Sequence, residues 1–183
     1  MQHHIDWLVL SDDLGRLAIA AVLGALLGLE RELAGKPAGL RTHVLVALGA
    51  TLLVLVGPDA IAEYADDGTN GSVRTDPIRI VQAIVVGISF LGAGTIVHER
   101  GARVEGLTTA ASILLTAGIG IAVAVERAML AASLAVFVTA ILSLLGWVEF
   151  RLGWTDHSRS PGGKDGASGS RVPGSDRARA GST

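Results

Sequence analysis

Five uncharged, strongly apolar runs constrain the fold of this chain more than any other feature of its sequence. They extend over residues 17–29, 44–58, 80–97, 106–125 and 128–148. Half of all residues are hydrophobic, 17% are charged and the mean hydropathy is +0.51, so a soluble domain of 183 residues could not bury this much apolar surface. The runs therefore predict an all-α, polytopic membrane protein with a bundle of about five transmembrane helices.

The lengths of the runs indicate how each could cross a bilayer. The last three contain 18, 20 and 21 residues, which at about 1.5 Å per residue match a hydrocarbon core of about 30 Å. The first two contain 13 and 15 residues and are too short alone. We therefore expect their flanking polar side chains to lie at or just inside the membrane boundary, with snorkelling to water as the simplest alternative. These side chains belong to Arg16, Glu30, Arg31, Arg41 and His43.

The distribution of Lys and Arg predicts the orientation. In a five-span arrangement, eleven of these residues lie on the side of the carboxyl terminus and four lie on the other side. The positive-inside rule then places the amino terminus outside and the carboxyl terminus in the cytoplasm. Six of the eleven belong to or adjoin the carboxyl-terminal tail, and without them the count is five against four in the same direction.

Composition divides the chain near residue 153. Residues 1–152 hold all five apolar runs, whereas Gly, Ser, Arg and Asp dominate residues 153–183. We therefore predict a transmembrane domain over 1–152 and a disordered cytoplasmic tail over 153–183. A second break, residues 58–77, holds five acidic residues against Arg74 alone and is expected to form an acidic external loop.

Four sequence signatures stand at the ends of different apolar runs. They are GLERE at 28–32, GLRTH at 39–43, FLGAG at 90–94 and GLTTAA at 106–111. In a five-span arrangement all four lie at the cytoplasmic face, where two helix ends meet two helix starts. A polar cluster is predicted there, formed by Glu30, Arg31, Arg41, Thr42, Thr108 and Thr109.

Helix starts expose unpaired amides and the positive end of the helix dipole, so a carboxylate from a neighbouring helix end is a natural partner. We expect Glu30 to pair with Arg41 or to accept from the start of the second or fourth helix, and Thr108 or Thr109 to cap the fourth. The cluster either only satisfies helix ends or forms a site for a small ligand, an ion or a partner. Both interpretations stay open at this point.

Small residues within the runs predict close helix packing, because helices in lipid associate through van der Waals contact. Gly24 and Gly28 form a G-x-x-x-G pair, and Ala83 with Gly87 repeats the spacing. The glycines of FLGAG would let backbones approach one another. The predicted packing set comprises Gly24, Gly28, Gly87, Phe90, Gly92, Gly94 and Gly106.

Asp76, Arg79 and Gln82 are spaced three apart at the start of the third run, on the predicted external side. Asp76 before Pro77 is suited to cap a helix, and the alternative is the mouth of a polar path. A divalent-ion site in the acidic loop is disfavoured, because scattered carboxylates do not define an octahedron. With no cysteine and five scattered histidines, neither a metal site nor a cofactor nor an enzyme is predicted.

At these motifs the chain resembles the MgtC/SapB family of bacterial inner-membrane proteins, over about residues 24–120. The resemblance rests on GALLGLERE, AGLRTHVLVALGA, DPIRIVQAIVVGISFLGAGTIV and GLTTAAS, in that order. It implies five spans in the inner membrane, a link to growth in low magnesium and to survival inside macrophages, and in some members restraint of the membrane ATP synthase. The positions that match the family pattern are Glu30, Arg31, Gly39, Arg41, Thr42, Asp76, Arg79, Gln82, Gly87, Phe90, Gly92, Gly94, Gly106, Leu107 and Thr109.

The chain departs from the family pattern in two places. Members often carry a Trp, sometimes followed by Cys, shortly after the TTAA element, whereas this chain has Leu114 and Leu115. A partner contact through that Trp or Cys is therefore not expected. Several members also carry an ACT-like regulatory domain after the last span. The tail predicted here does not resemble one, so the resemblance covers the membrane domain only.

Three functions are compatible with these residues. The favoured one is a regulatory membrane protein of low-magnesium stress adaptation and intracellular survival, acting through the polar cluster on a membrane partner such as ATP synthase, with a homodimer as a further form. The second is a small transporter or ion-conducting protein, although neither inverted repeats nor interrupted helices are evident. The third, an enzyme at the membrane surface, has the least support. The lipid bilayer is the expected environment, and no nucleic acid partner is expected.

Overall fold

The structure, a computed structural model, describes residues 2–65, 76–96 and 106–152. The described residues form five α-helices, which we number in chain order: α1 (Gln2–Leu33), α2 (Leu40–Ala65), α3 (Pro77–Ile96), α4 (Leu107–Ala124) and α5 (Ala128–Arg151). The order and approximate positions of the five apolar runs are preserved. The all-α, polytopic membrane fold predicted from the sequence is therefore confirmed.

Four of the five helices are long and apolar enough to cross a membrane. They are α2 over Leu40–Ile61 and the whole of α3, α4 and α5. The helix α1 is 32 residues long, but charges at Asp12, Asp13 and Arg16 and again from Glu30 onward leave only a short apolar segment between them. A fifth span formed by α1 therefore stays a prediction.

The second helix corrects the expected limits of the acidic loop. We expected a break at Pro58, but α2 continues through Pro58 to Ala65. A proline removes one backbone donor, and a neighbouring helix can make this tolerable in a membrane protein. Here α3 packs beside α2 near that point, where Ile80 lies against Gly57. Residues 66–75 and the predicted disordered tail, residues 153–183, lie outside the described residues.

The helix α4 lies at the centre of the bundle and packs against each of the other four described helices. Nine of its 18 residues are buried. One apolar cluster joins α4 to α1, α2 and α5 through Ala20, Leu23, Leu27, Ala47, Ile119, Val123, Ala131 and Ala135. A second joins it to α2 and α3 through Ala50, Ile84 and Ala117. Most of these side chains are small, which lets the helix axes approach closely.

Three glycines at two helix crossings determine how closely the helices approach. A Cβ on Gly28 would lie 2.7 Å from Leu40 Cα, and one on Gly24 would lie 2.8 Å from the His43 carbonyl oxygen. The predicted G-x-x-x-G pair is thus the contact between α1 and α2. At the crossing of α2 and α4, a Cβ on Gly120 would lie 2.5 Å from the Ala47 carbonyl oxygen. No larger residue fits either crossing without moving backbone.

Arg16 fastens α1 to the turn between α4 and α5. Its Nη1 donates to the Ala124 carbonyl oxygen at 2.8 Å, and its Nη2 donates to Glu126 Oε1 at 2.9 Å and also to Asp12. A cation at the carboxyl end of α4 satisfies a free carbonyl and interacts favourably with the helix dipole. Arg16, expected at a membrane boundary, therefore makes specific contacts and does not only extend toward water. We call the side of the bundle that holds Arg16, Ala124 and Glu126 the opposite end.

Candidate functional site at the signature end

The four sequence signatures meet at one end of the bundle, which we call the signature end. The last residues of α1 and α3 and the first residues of α2 and α4 form it, over residues 28–32, 39–43, 90–94 and 106–111. Gly28 contacts Leu40, and a Cβ on Gly92 would lie 3.3 Å from Ala110 Cβ. His43 Nε2 lies 3.1 Å from Ser112 Oγ and links α2 to α4. The described residues of the four signatures therefore converge at one end of the bundle, and the assignment of this end to the cytoplasmic face stays a prediction.

Glu30 and Arg31 form a buried ion pair with each other. Arg31 Nη2 donates to Glu30 Oε1 at 2.8 Å and Arg31 Nε donates to Glu30 Oε2, so the guanidinium grips the carboxylate with two parallel bonds. The Arg31 side chain is 3% exposed and the Glu30 side chain is 11% exposed. The predicted pairing of Glu30 with Arg41 is wrong, because the long Arg31 side chain folds back on its neighbour and satisfies the carboxylate locally.

Arg41 and Thr42 lie in the first turn of α2. Arg41 is exposed and Thr42 is half-buried, and both line a groove between α2 and α3. In the described part of the chain no carboxylate lies within ion-pair distance of Arg41. The predicted polar cluster is therefore divided into a buried pair and an exposed cation.

The two helix starts are capped differently from our expectation. Glu32 Oε2, not Glu30, accepts from the Leu40 backbone amide at 2.8 Å and so caps α2. Gly106 takes the N-cap position of α4 at φ 92° with no side-chain cap, so the prediction that Thr108 or Thr109 caps α4 is wrong. A Cβ on Gly106 would lie 2.7 Å from the Thr95 carbonyl oxygen. This close approach requires glycine at the cap and leaves Thr108 and Thr109 inside the first turn.

Replacing Glu32 with alanine is expected to lower the free energy of unfolding by about 1 kcal/mol, since the cap of α2 is lost. Glu32→Gln retains an acceptor oxygen and should cost less than half as much. The measurement is an SDS unfolding titration of the purified protein in detergent, followed by far-UV circular dichroism. Equal losses for the two variants would contradict the capping role of Glu32.

The sequence analysis did not single out the contact between His43 and Ser112. Both side chains are buried, and Nδ1 of His43 lies 2.9 Å from the Gly39 carbonyl oxygen. Because that carbonyl only accepts, Nδ1 carries a proton, and Nε2 lies 3.1 Å from Ser112 Oγ, whose hydroxyl proton is directed at Thr109. Ser112 Oγ is also 2.8 Å from the Thr109 carbonyl oxygen. The two residues are 69 positions apart, and the only signal in the sequence is that Ser112 follows GLTTAA by one residue.

A serine beside a histidine raises the question of nucleophilic catalysis. His43 and Ser112 are 0% and 2% exposed, and neither lines any of the three described cavities. Among the described residues, these three cavities therefore do not lead to this hydroxyl. The pair therefore joins α2 to α4 as a packing contact.

The interface between α2 and α4 continues as a closed polar seam. Thr116 Oγ1 donates to the Ser112 carbonyl oxygen at 2.8 Å. Thr51 Oγ1 lies 2.9 Å from the Ala47 carbonyl oxygen and 3.0 Å from that of Gly120. Each of these hydroxyls is buried and is directed at backbone. The two threonine hydroxyls thus find acceptors on the backbone of α2 and α4.

The predicted packing set is only partly correct. Gly24, Gly28, Gly92 and Gly106 make close helix contacts. Positions Gly87 and Gly94 have no atom within 4 Å of an added Cβ, and Phe90 is 81% exposed. Their prediction as packing residues is wrong for the single chain, because these three residues lie on faces of α3 that are turned away from α4.

The predicted external residues lie at the opposite end of the bundle. Asp76 Oδ1 accepts from the Ile78 amide at 3.0 Å, with Pro77 as the first helical residue, so the capping role is confirmed. Arg79 and Gln82 are exposed, and Arg79 lines the far end of the groove between α2 and α3. No group of three or more His, Asp or Glu side chains that could hold a metal ion occurs among the described residues.

Asp76→Ala is expected to destabilise α3 by about 1 kcal/mol, and Asp76→Asn by a few tenths, because asparagine can still accept from the Ile78 amide. Hydrogen exchange at the first turn of α3, followed by mass spectrometry, should show faster exchange only in the alanine variant. Faster exchange of equal size in both variants would argue that the charge of Asp76, and not its capping geometry, matters.

Comparison with known proteins gives the geometry a context. The sequence model of the MgtC family matches residues 17–151, which include all four signatures. The chain belongs to the MgtC family. Together with four apolar helices, membership makes it a multi-pass membrane protein. The comparison with solved structures found no match.

Three relatives illustrate the range of this family. Protein SapB of Bacillus subtilis is 32% identical over 81% of this chain and 63% of its own length. YhiD of Escherichia coli K12, whose name gives it provisionally as a magnesium transporter, is 38% identical over 75% of this chain and 62% of its own length. Protein MgtC of Brucella abortus is 36% identical over 76% of this chain and 53% of its own length. The chain thus spans about half to two thirds of each relative.

Proposed function

We propose that this MgtC-family protein is a regulatory membrane protein of low-magnesium stress adaptation and intracellular survival, and that it acts by binding a membrane partner at the signature end. The observation that carries the proposal is the distribution of polar groups. Lys36, Arg41 and Thr108 are exposed at the end of the bundle that holds the Glu30–Arg31 pair, whereas the Thr51 and Thr116 hydroxyls between α2 and α4 are buried. Polar groups available for contact are thus at an end surface and not along a path.

The buried ion pair supports this proposal independently of the surface. A buried pair is weak evidence for stability, because desolvation of both charges offsets most of their attraction. An apolar pair of similar volume would stabilise the same site equally well. A role in conformational change or in recognition would explain the presence of these charges, which their contribution to stability does not.

Under this proposal the signature end faces the cytoplasm and the amino terminus lies outside, following the distribution of Lys and Arg. A cytoplasmic surface of this kind could contact a membrane complex within reach of the bilayer. The membrane ATP synthase is the first candidate, and a second copy of this chain is the other. Co-purification with ATP synthase after crosslinking in membranes, tested in the wild type and in Arg41→Ala, examines the first.

The proposal is tested by growth of a strain that lacks the protein, in limiting magnesium, with complementation at matched membrane levels. Wild type should restore growth, and Glu30→Gln and Arg41→Ala should restore less than half of it. Arg151→Ala is the control, since it removes an exposed Arg near the same end without touching a signature. Equal rescue by all variants would show that the signature end does not carry the function.

Transport is the second candidate, favoured by the name of the E. coli relative. It predicts magnesium movement into proteoliposomes that hold the purified protein, read with an internal magnesium dye. Our proposal predicts uptake no faster than in empty liposomes. Saturable uptake that Glu30→Gln abolishes would replace the regulatory proposal with transport.

A further inference from the structure

An apolar groove runs between α2 and α3 and ends in a polar mouth. The groove encloses about 890 Å³ and is lined from Arg41 to Ile61 on α2 and from Arg79 to Leu91 on α3. A second cavity of about 320 Å³ lies at the start of α2. Arg41 and Thr42 line both, so the two spaces adjoin at the signature end.

The mouth carries two cations and one carboxylate. Lys36 and Arg41 are exposed and line it, and the carboxylate belongs to Glu32. Glu32 already accepts from the Leu40 amide. Among the described residues neither cation has an ion-pair partner. The mouth is therefore suited to an anionic group.

Two glycines line the groove where it is open. An added Cβ on Gly49 or on Gly87 would find no atom within 4 Å. The helices α2 and α3 touch near the opposite end, where Ile80 packs on Gly57. Along α2, from Arg41 to Ile61, the groove extends about 30 Å at 1.5 Å per residue, so an acyl chain in one leaflet of about 15 Å would occupy the half nearest Arg41. Its length and apolar lining fit acyl chains.

We propose that this groove binds an anionic phospholipid, with the phosphate at Lys36 and Arg41 and the acyl chains along α2 and α3. The charge of the mouth complements the phosphate, and its position at the end of an apolar span is where a headgroup lies. In a phospholipid the charged headgroup adjoins apolar chains, and in this bundle the charged mouth adjoins an apolar groove. No other feature of the bundle places two free cations at the end of an open apolar groove among the described residues.

A second copy of the chain fits the groove less well. A two-fold axis along the membrane normal would bring Arg41 close to Arg41 of the second copy, and like charges at a contact are unfavourable. A phospholipid supplies the opposite charge at the same place. The observations therefore favour the lipid over a homodimer at this surface.

The test measures lipid binding to the purified full-length protein in detergent by native mass spectrometry, with phosphatidylglycerol and phosphatidylcholine of identical chains. Phosphatidylglycerol should bind more tightly. Arg41→Ala should weaken its binding about tenfold or more, as expected for a charge-assisted contact, and should leave phosphatidylcholine almost unchanged. Arg151→Ala, which removes an exposed Arg outside the groove, should behave as the wild type.

A second pair of variants tests the groove without altering the charge of the mouth. Gly87→Leu fills the groove and should reduce binding of phosphatidylglycerol at least fivefold. Gly118→Leu is the matched control, since Gly118 also has open space around it but lines a different cavity. Both variants should keep the wild-type helix content, which circular dichroism verifies.

Four results would overturn the lipid proposal. One is equal affinity for the two lipids, and another is an equal effect of Arg41→Ala and Arg151→Ala. The third is that inorganic phosphate displaces phosphatidylglycerol and binds the Gly87→Leu variant as tightly as the wild type. The mouth would then be a site for a free anion. A wild-type dimer that Gly87→Leu converts to monomer would instead assign the groove to a second copy. Lipid binding is measured on the isolated protein, so its failure is distinct from failure of growth rescue.

Discussion

Glu30→Ala is expected to lower the free energy of unfolding by about 3–5 kcal/mol, because it leaves the Arg31 guanidinium buried without a counter-charge. Arg31 is 3% exposed and its nearest acceptors are the two Glu30 oxygens. Glu32→Ala, two residues away at an exposed position, is the control and should cost only about 1 kcal/mol. An SDS unfolding titration in detergent measures both.

The double variant Glu30→Leu with Arg31→Met separates stability from function. An apolar pair of similar volume often replaces a buried ion pair without loss, so the double variant should lie within about 1 kcal/mol of the wild type. It should nevertheless fail to restore growth in limiting magnesium. A double variant that restores growth fully would reduce the pair to a structural role. A Glu30→Ala variant as stable as Glu32→Ala would contradict burial of the pair.

Gly120→Ala is expected to destabilise the bundle by about 1–3 kcal/mol, because the new methyl group would overlap the Ala47 carbonyl oxygen at 2.5 Å and press on Ala50 and Thr51. Gly118→Ala is the matched control two residues along the same helix. Gly118 has no atom within 4 Å of an added Cβ, so alanine should stabilise by up to about 1 kcal/mol through helix propensity. The two substitutions are chemically identical and should differ in sign.

The same SDS titration measures this difference between Gly120 and Gly118. The loss in Gly120→Ala should be accompanied by faster hydrogen exchange in the middle of α2, because the backbone of α2 must move away from α4. Equal effects of the two substitutions would mean that α2 and α4 do not cross at Gly120, and the position of α4 in the centre of the bundle would have to be revised.

The helices and the end at which the four signatures meet are predicted well, because both follow from the composition of long segments of the sequence. Uncharged runs mark the spans, and alternating direction brings the four signatures to one end whatever the details of packing. The limits of the helices are less predictable. Pro58 would end a soluble helix, but α2 passes through it, because a membrane helix has no solvent to replace its backbone bonds.

Side-chain partners were predicted less well than the helices. Glu30 pairs with the adjacent Arg31, because the long, flexible arginine side chain bends back far enough for its guanidinium to reach the carboxylate. Gly24 and Gly87 stand in the same small-residue pattern, yet Gly24 meets α2 and Gly87 faces an open groove. The pattern indicates that a helix has a face of small residues, but it does not indicate which helix packs against that face. The contact between His43 and Ser112 was missed because nothing local relates residues 69 positions apart.

The central claim is that the four signatures share one face of the membrane, and single cysteines test it most directly. The chain contains no cysteine, so Lys36→Cys, Thr108→Cys, Asp76→Cys and Glu126→Cys can be labelled in intact cells with a membrane-impermeant maleimide without background. We expect positions 36 and 108 to react only after permeabilisation and positions 76 and 126 to react in intact cells. Labelling of 36 and 108 from different sides of the membrane would contradict the convergence on which the proposed function rests. Labelling of both from outside would keep the convergence and reverse the orientation.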